Sequence, residues 1–357
     1  MMYTTGKKVR FSLFGTSHGP YVGCVLEGIP KGMPVDETQI ARDMELRRPK
    51  KGIGTPRRET DSVNIRQGVH NGRTDGMPIL MIIENADTDG SKYLKFARTP
   101  RPGHADLPAL ARFPGYDIRG GGQFSGRLTA PIVAAGSIAK QLIGRSGMEV
   151  SAFSRAIGGV TDCENRDIAD AAGSRGFATR ACTGELDAAM EERIVSASSD
   201  GDSVGGVVEC IATGLPIGFG GIWFEALDTE IAGAVFSIPA CKGVEFGRGF
   251  DLANIRGSES NDPFFVDGGI KCGTNNMGGI LGGMSDGAPM VFRAVFKPTP
   301  SIAKPQRTVD IERMENSEVS VEGRHDPCIV PRAVSVVEAV TALVLADQMV
   351  RDPERGG

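Results

Sequence analysis

Residues 119–146, with the sequence RGGGQFSGRLTAPIVAAGSIAKQLIGRS, join a glycine-rich turn to a long apolar segment. The apolar segment predicts a helix over 128–146, stopped by Gly147. Glycines let backbone N–H groups approach an anion, and a helix N-terminus carries about half a positive charge. With Ser125 as a hydrogen-bond donor and Arg127 as a bidentate ligand, the turn predicts a phosphate site. A tight turn before a core helix explains the glycines equally well, but it does not explain the flanking arginines.

Mixed helices and strands surround this segment. Strand patterns occur at 9–14, 21–27, 62–69, 78–84, 206–212 and 290–296. Helices are predicted from Asp36, with Gln39 three residues later, to about residue 48, and over 185–198, 225–236 and 332–350, the last after Pro331. Because strands and helices do not alternate regularly, we predict an α+β fold instead of a doubly wound parallel sheet. We expect one catalytic domain over 1–350 and a flexible C-terminal tail over 351–357.

Composition excludes several protein classes. The chain has 357 residues, 49 glycines, 40% hydrophobic and 24% charged residues and a formal charge of −4. These values exclude wholesale disorder, collagen-like repeats and coiled coil. No secretory signal begins the sequence and no apolar run approaches the roughly 20 residues of a membrane span, so we expect a cytoplasmic protein without membrane contact. Seven scattered cysteines predict reduced, mostly buried thiols instead of a disulfide framework or a zinc site.

The near-neutral charge hides a basic stretch. Residues 42–127 contain 16 Lys and Arg against 10 Asp and Glu. The arginines alternate with glycine and proline turns, and few aromatic residues are interleaved for base stacking. This arrangement favours a pocket for a small phosphorylated molecule over a nucleic-acid track, and a solvated basic surface is the third interpretation.

Three of the four histidines lie in turns bounded by glycine or proline. They are His18, His104 and His325, whereas His70 has an ordinary strand-turn context and is interpreted as structural. Loops held by turns are where functional side chains are usually displayed. Residues 15–19, GTSHG, also match the Gly-x-Ser-x-Gly pattern of serine hydrolases, but a strand-like stretch follows where that motif needs a helix. No metal-binding spacing is present, so no metal site is predicted.

A second concentration of glycines covers residues 275–287, NNMGGILGGMSDG, and the segment 297–302, KPTPSI, follows a predicted strand. Close approach of the backbone to a flat or phosphorylated ligand explains these glycines, and so does a sharply turning structural loop.

Six segments taken together resemble the chorismate synthase family. They lie in the same order and spacing at 14–19, 101–106, 120–127, 275–287, 297–302 and 324–328, and the resemblance covers nearly the whole chain. It implies a single-domain sandwich of helices between antiparallel sheets, assembled as a homotetramer. It also implies the last common step of the shikimate pathway, which leads to the aromatic amino acids. In that step, reduced FMN (FMNH2) supports a 1,4-anti elimination of phosphate from 5-enolpyruvylshikimate 3-phosphate, giving chorismate without net redox change.

The resemblance also implies roles for individual residues. His18 would be a general acid near the flavin, His104 would help to protonate the departing phosphate, and Asp326 would assist proton removal at flavin N5 as the flavin accepts hydrogen from C6 of the substrate. The residues that would bind the substrate are Ser17, Arg47, Arg48, Arg57, Arg101, Ser125, Arg127 and Arg324. Those that would line the flavin site are Gln123, Phe124, Ser125, Pro239, Ala240, Gly282, Lys297, Pro298, Thr299, Pro300, Ser301 and Arg324.

Some positions depart from the family pattern. Many members have arginine where this chain has Gln123, a family arginine falls on Ile53, and Pro239 replaces a common asparagine. Either Lys50, Lys51 or Arg57 replaces the arginine missing at Ile53, or that contact is absent; these departures affect individual flavin and substrate contacts more than the activity.

Several functional alternatives remain open from the sequence. One is a serine hydrolase that uses Ser17, and another is a binding protein for RNA or for flavin without catalysis. For the lyase, the flavin is reduced either by the chain itself with NADPH or by a separate flavin reductase.

Overall fold

The computed structural model describes residues 3–48, 50, 52–54, 61–86, 91–321 and 326–352. Its helices are α1 (Glu37–Arg47), α2 (Asp106–Arg112), α3 (Thr129–Gly144), α4 (Ile168–Gly173), α5 (Gly184–Ser199), α6 (Leu227–Phe236), α7 (Gly257–Ser260) and α8 (Val330–Arg351). Short 3-10 turns lie at Ser91–Ala97, Arg119–Phe124, Gly126–Leu128, Ser174–Gly176, Trp223–Glu225 and Gly249–Asn254.

The strands follow the predicted positions closely and add several short ones. They are β1 (Tyr3–Thr5), β2 (Arg10–Gly15), β3 (Tyr21–Glu27), β4 (Asn64–Gln67), β5 (Val69–His70), β6 (Arg73–Thr74), β7 (Ile79–Glu84), β8 (Glu149–Ile157), β9 (Val160–Thr161), β10 (Gly206–Thr213), β11 (Cys241–Phe246), β12 (Phe264–Val266), β13 (Ile270–Cys272), β14 (Ile280–Leu281), β15 (Met284–Ser285), β16 (Met290–Phe296), β17 (Gln306–Asp310) and β18 (Glu315–Val319).

Two five-stranded sheets form the outer layers. Their strand orders are β1-β2-β3-β7-β4 and β11-β16-β10-β8-β9, and four two-stranded hairpins lie outside them within the described part of the chain. Every pairing between these strands is antiparallel. The predicted α+β class is therefore confirmed. The alternative, a doubly wound sheet, would have parallel strands joined by crossover connections.

Helices α1, α3 and α8 lie between the two sheets. Helix α3 packs on β3 and β7 of the first sheet, α8 packs on β8 and β10 of the second, and α3 and α8 pack on each other. Gly136 permits this close approach, because a Cβ atom there would lie 2.3 Å from the Cβ of Ala339. One cluster of buried apolar side chains extends from Val9 to Met349. The predicted sandwich of helices between antiparallel sheets is therefore present.

The ends of the central helices follow local sequence. Asp36 caps α1, its carboxylate accepting from the backbone N–H groups of Thr38 and Gln39 at 2.8 and 3.1 Å. Pro331 occupies the first turn of α8, where it costs no hydrogen bond. Helix α3 starts after the 3-10 turn at Gly126–Leu128, one residue later than predicted, and ends just before the predicted stop.

Helix α8 corrects the expectation that no apolar segment is long enough to span a membrane. It is long and apolar enough to cross a bilayer, but 89% of its most apolar stretch is buried in the protein. It is therefore the core helix between the sheets. Arg351, assigned from the sequence to the tail, ends this helix and pairs with Glu230 and Asp347. Residues 353–357 lie outside the described part of the chain.

All seven cysteines lie within the described residues as free thiols. Four of them, Cys24, Cys210, Cys241 and Cys328, are buried. Burial raises the pKa of the Cys24 and Cys210 thiols, so both stay protonated at neutral pH.

Candidate functional site

The turn between β2 and β3 carries His18. Ser17 is buried, and its Oγ lies 3.1 Å from Nδ1 of His18. The edge of the His18 ring meets Tyr93 in the 3-10 turn Ser91–Ala97, with ring centroids 5.7 Å apart. Strand β3 follows at Tyr21, so this segment is a hairpin turn and not the strand-to-helix elbow that a serine hydrolase requires.

Arg101 is held by a carboxylate and two aromatic rings. Its Nε and Nη2 donate to Asp106 at 2.7 and 2.8 Å, and its backbone N–H donates to the same carboxylate at 3.0 Å. The guanidinium carbon lies 5.4 Å from the Tyr93 ring centroid and 4.6 Å from that of Phe96. Arg101 therefore ties the Tyr93 segment, which touches His18, to the turn that carries His104. Asp106 occupies the edge of the guanidinium formed by Nε and Nη2.

His104 lies against the segment that follows β16. Its Nε2 is 2.7 Å from Oγ of Ser301, and Lys297 Nζ donates to the backbone oxygen of Gly103 at 2.5 Å. The backbone N–H of Lys297 donates to Ala240 at 3.0 Å. The structure therefore brings one predicted catalytic residue together with three predicted flavin-site residues that are far apart in sequence.

The ammonium group of Lys297 is partly buried. Burial, followed by the charge of Lys242, lowers the pKa of Lys297. Lys242 is the bulged residue of β11 opposite the end of β16, so two lysines lie near each other at this corner. A pair of like charges beside a histidine favours binding of an anion.

Arg47 and Arg127 share the carboxylate of Asp61. Arg47 Nη2 donates to one oxygen at 2.8 Å and Arg127 Nη1 donates to the other. Arg47 also donates to Thr129 at 3.3 Å. Burial, helped by the charges of Arg332 and Arg127, lowers the pKa of Arg47 to about 10. Burial alone would raise the pKa of Asp61, but the two arginines outweigh it and hold that pKa below its usual range.

Asp326, four residues before α8, joins the same group of arginines. Its carboxylate pairs with Nη1 of Arg332, while Arg332 Nε donates to the backbone oxygen of Arg47 at 3.2 Å. Arg332 therefore connects Asp326 to the cluster of Arg47, Asp61 and Arg127.

The glycine-rich turn differs from its predicted form. Residues 119–124 form a 3-10 turn, and Nε and Nη2 of Arg119 donate to the two carboxylate oxygens of Asp117. The first residues of α3, from Thr129 to Pro131, are buried. The first turn of α3 is therefore packed inside the protein, whereas Gly126 before it is exposed, and Arg127 reaches Asp61 through its side chain. The anion site at this turn stays a prediction.

The remaining predicted residues of this turn have local partners. Ser125 Oγ accepts a hydrogen bond from the backbone N–H of Arg127 at 3.2 Å, and the Gln123 side chain accepts one from the Tyr3 hydroxyl at 2.8 Å. Phe124, which is 41% exposed, packs near Tyr116. Of these three residues, Ser125 contacts Arg127 directly.

The other predicted residues lie at the end of α1, in the hairpin of β14 and β15, and in the segment after Lys297. Arg48 pairs with Glu45 at 2.5 Å at the end of α1. Gly282 turns the hairpin between β14 and β15 with φ +60°, and the hairpin contacts α6 through Gly283. Pro298, Thr299 and Pro300 continue from Lys297, and Thr299 Oγ1 is buried without a hydrogen-bond partner among the described residues. Arg57, Arg324 and His325 lie outside the described residues.

Three arginines of the basic stretch, Arg47, Arg101 and Arg127, are enclosed by protein, whereas others, such as Arg66 and Arg73, are exposed. Arg47, Arg101, Arg119 and Arg127 each pair with a carboxylate of the same chain. Because a nucleic-acid track presents its cations to solvent, the enclosed pairs of Arg47, Arg101 and Arg127 do not form such a track.

Sequence reasoning missed Asp61, Asp106 and Tyr93. Two of them are acids within a basic stretch, and each is buried against an arginine that the sequence did single out. A buried acid must be paired, so acids near arginine-rich turns are the signal that was available.

Comparisons with known proteins agree on one family. The family model described as chorismate synthase matches residues 9–350. The chain is 51% identical over 353 residues to the chorismate synthase of Archaeoglobus fulgidus, covering 98% of this chain and 97% of that protein. It is 49% identical over 357 residues to that of Thermococcus kodakarensis, covering 97% of each. A crystal structure of chorismate synthase superposes with a TM-score of 0.79 at 29% identity, covering 98% of this chain and 93% of that one. The chain therefore belongs to the chorismate synthase family of carbon–oxygen lyases.

Proposed function

We propose that the chain eliminates phosphate from 5-enolpyruvylshikimate 3-phosphate to give chorismate, with reduced FMN, in the shikimate pathway. The observation that carries this proposal is the buried cluster of Arg47, Asp61 and Arg127, beside Asp326 and Arg332. Three arginines against two carboxylates leave net positive charge among the described side chains. That excess suits an acidic, phosphorylated substrate.

In this proposal the two histidines have different roles. His104 lies beside Ser301 and Lys297, and it protonates the departing phosphate as negative charge develops there. His18, which contacts Ser17 and Tyr93, is the general acid near the flavin. Asp326, paired with Arg332, is the base that assists proton removal.

Arg101 and Arg127 bind the substrate in this proposal, together with Ser17 and Ser125. Their carboxylate partners Asp106 and Asp61 fix the guanidinium planes before the substrate arrives. Orientation established in advance lowers the entropy cost of reaching the transition state.

The residues after β16 fit a flavin. Lys297 and Lys242 supply positive charge for a phosphate, and within the described part of the chain the buried hydroxyl of Thr299 has no partner. Ala240, with φ +73°, accepts a hydrogen bond from the backbone of Lys297. Lys297, Thr299, Ser301 and Ala240 would hold the group. When bound, reduced FMN supplies a transient exchange of electrons and hydrogen that leaves no net redox change.

We further propose that the chain forms one catalytic domain and assembles as a homotetramer in the cytoplasm. The side chains of Trp223, Phe224 and Phe250 are 80%, 89% and 82% exposed, which supports contact with further copies. Flavin reduction comes either from NADPH on this chain or from a separate reductase. Incubating the protein with oxidised FMN, substrate and NADPH, without added reductase, distinguishes the two.

The test of the proposed function is an anaerobic assay. Purified protein, the phosphorylated substrate and chemically reduced FMN should yield chorismate, measured by its absorbance. The proposal also predicts that substrate strengthens flavin binding. A folded protein that binds flavin but forms no chorismate would exclude the activity.

A further inference from the structure

Asn85, directly after β7, connects two parts of the site. Its backbone N–H donates to Pro20 at 3.0 Å and so extends the pairing of β7 with β3. Its side-chain Nδ2 donates to the backbone oxygens of Thr16 and Gly19 at 3.0 and 2.8 Å. These two oxygens flank His18 in the turn between β2 and β3.

The other end of the same amide faces Arg127. Nε of Arg127 donates to Oδ1 of Asn85 at 2.8 Å, and Nη2 of Arg127 donates to the backbone oxygen of Glu84 at 2.9 Å. The guanidinium is therefore fixed by the end of β7 on one side and by Asp61 on the other. Asn85 contacts both the His18 turn and this arginine.

The chemistry of the contacts requires an amide. A reversed amide would place its oxygen against two carbonyl oxygens and its NH2 group against a guanidinium, so the observed orientation satisfies all three contacts. A carboxylate would satisfy Arg127 but repel both turn oxygens. An aliphatic side chain would leave three polar groups without this partner.

We propose that Asn85 is a positioning residue that fixes the His18 turn relative to Arg127. This inference rests on the proposed function, because it assigns His18 and Arg127 to one reaction. Asn85 itself acts through these two residues and is not placed on the substrate. Displacements of about 1 Å in such a group can cost on the order of 100-fold in rate.

The test compares Asn85→Asp with wild type, because aspartate has nearly the same shape and keeps the acceptor for Arg127, but replaces the donor group with a negatively charged oxygen that repels both turn oxygens. We expect kcat to fall by about 10- to 100-fold, with a smaller change in KM, since the loss concerns orientation in the transition state. The control is Asn316→Asp on the exposed strand β18, which should leave kcat and KM unchanged.

A second measurement does not depend on turnover. The chain has four histidines, so ring signals in a proton–carbon correlation spectrum can be assigned with a His18→Gln variant. In Asn85→Asp protein without flavin, the His18 signal should move while the His70 signal stays in place. If Asn85→Asp does not fold, Asn85→Ala is measured in the same way.

The outcomes separate the two proposals. Loss of turnover together with a moved His18 signal supports the inference. An unchanged His18 signal overturns it whatever the rate, and a moved signal with wild-type kcat also overturns it. Failure of the wild-type protein itself to form chorismate would instead exclude the proposed function.

Discussion

Replacing Asp61 by asparagine should destabilise the protein strongly. The Asp61 side chain is 3% exposed, as is that of Arg47, and the Arg127 side chain is 9% exposed. Asparagine keeps the shape of the side chain and tolerates the positive φ of 49° at this position. The substitution therefore removes the shared negative charge and leaves two arginines buried beside each other.

Removing one partner of a buried ion pair costs about 3–5 kcal/mol. The asparagine oxygen still accepts one hydrogen bond, so we expect a loss near the lower end, about 3 kcal/mol. At 1.4 kcal/mol for each factor of ten, this corresponds to about a 150-fold change in the unfolding equilibrium constant. The matched control is Glu315→Gln, whose exposed pair with Arg313 spans 3.5 Å and should contribute less than about 1 kcal/mol.

The assay is urea unfolding at neutral pH, repeated toward acid. Because the folded-state pKa of Asp61 is held below its ordinary value of 3.8, its stabilisation is complete above that value and is lost as pH falls through the folded-state pKa. The difference between wild type and Asp61→Asn should therefore be constant near neutral pH and should shrink below about pH 4. A loss no larger than that of Glu315→Gln would refute the assignment of Asp61 as the counter-charge of the arginine cluster.

Three further predictions concern other parts of the molecule. His104→Ala should fold normally but lose about 100- to 10,000-fold in kcat, measured by anaerobic chorismate formation, and near-normal turnover would remove His104 from the catalytic set. Gly136→Ala should lower the free energy of unfolding by about 1–3 kcal/mol, because its Cβ would lie 2.3 Å from the Cβ of Ala339, and an unchanged denaturation midpoint would contradict this packing. Glu338→Gln should cost about 3–5 kcal/mol, because it leaves the buried Lys140 without its nearest carboxylate, and calorimetry showing wild-type stability would contradict that pairing.

Much of the fold follows from local pattern. Helix α1 is predictable because Asp36 supplies a cap, and α3 because its apolar run ends at glycines. The placement of both helices between two sheets is not predictable in this way, since it depends on contacts between distant segments such as Gly136 and Ala339. The resemblance of six motifs supplied that architecture, while periodicity alone indicated only mixed helices and strands.

The candidate site shows the same limit. The sequence singles out His104 because of its turn, but Ser301 approaches it from 197 positions away. Asp61 binds Arg47 and Arg127 across 14 and 66 positions. Nothing local distinguishes this acid from its neighbours, because its importance comes from burial between two arginines.

The central claim is tested most directly by the stoichiometry of a single anaerobic reaction. Protein, reduced FMN and 5-enolpyruvylshikimate 3-phosphate are mixed, and chorismate, phosphate and the flavin spectrum are followed together. We predict one phosphate released for each chorismate formed, with the flavin reduced at the end as at the start. Phosphate release without chorismate, or product formation that consumes the reduced flavin in proportion, would contradict the account.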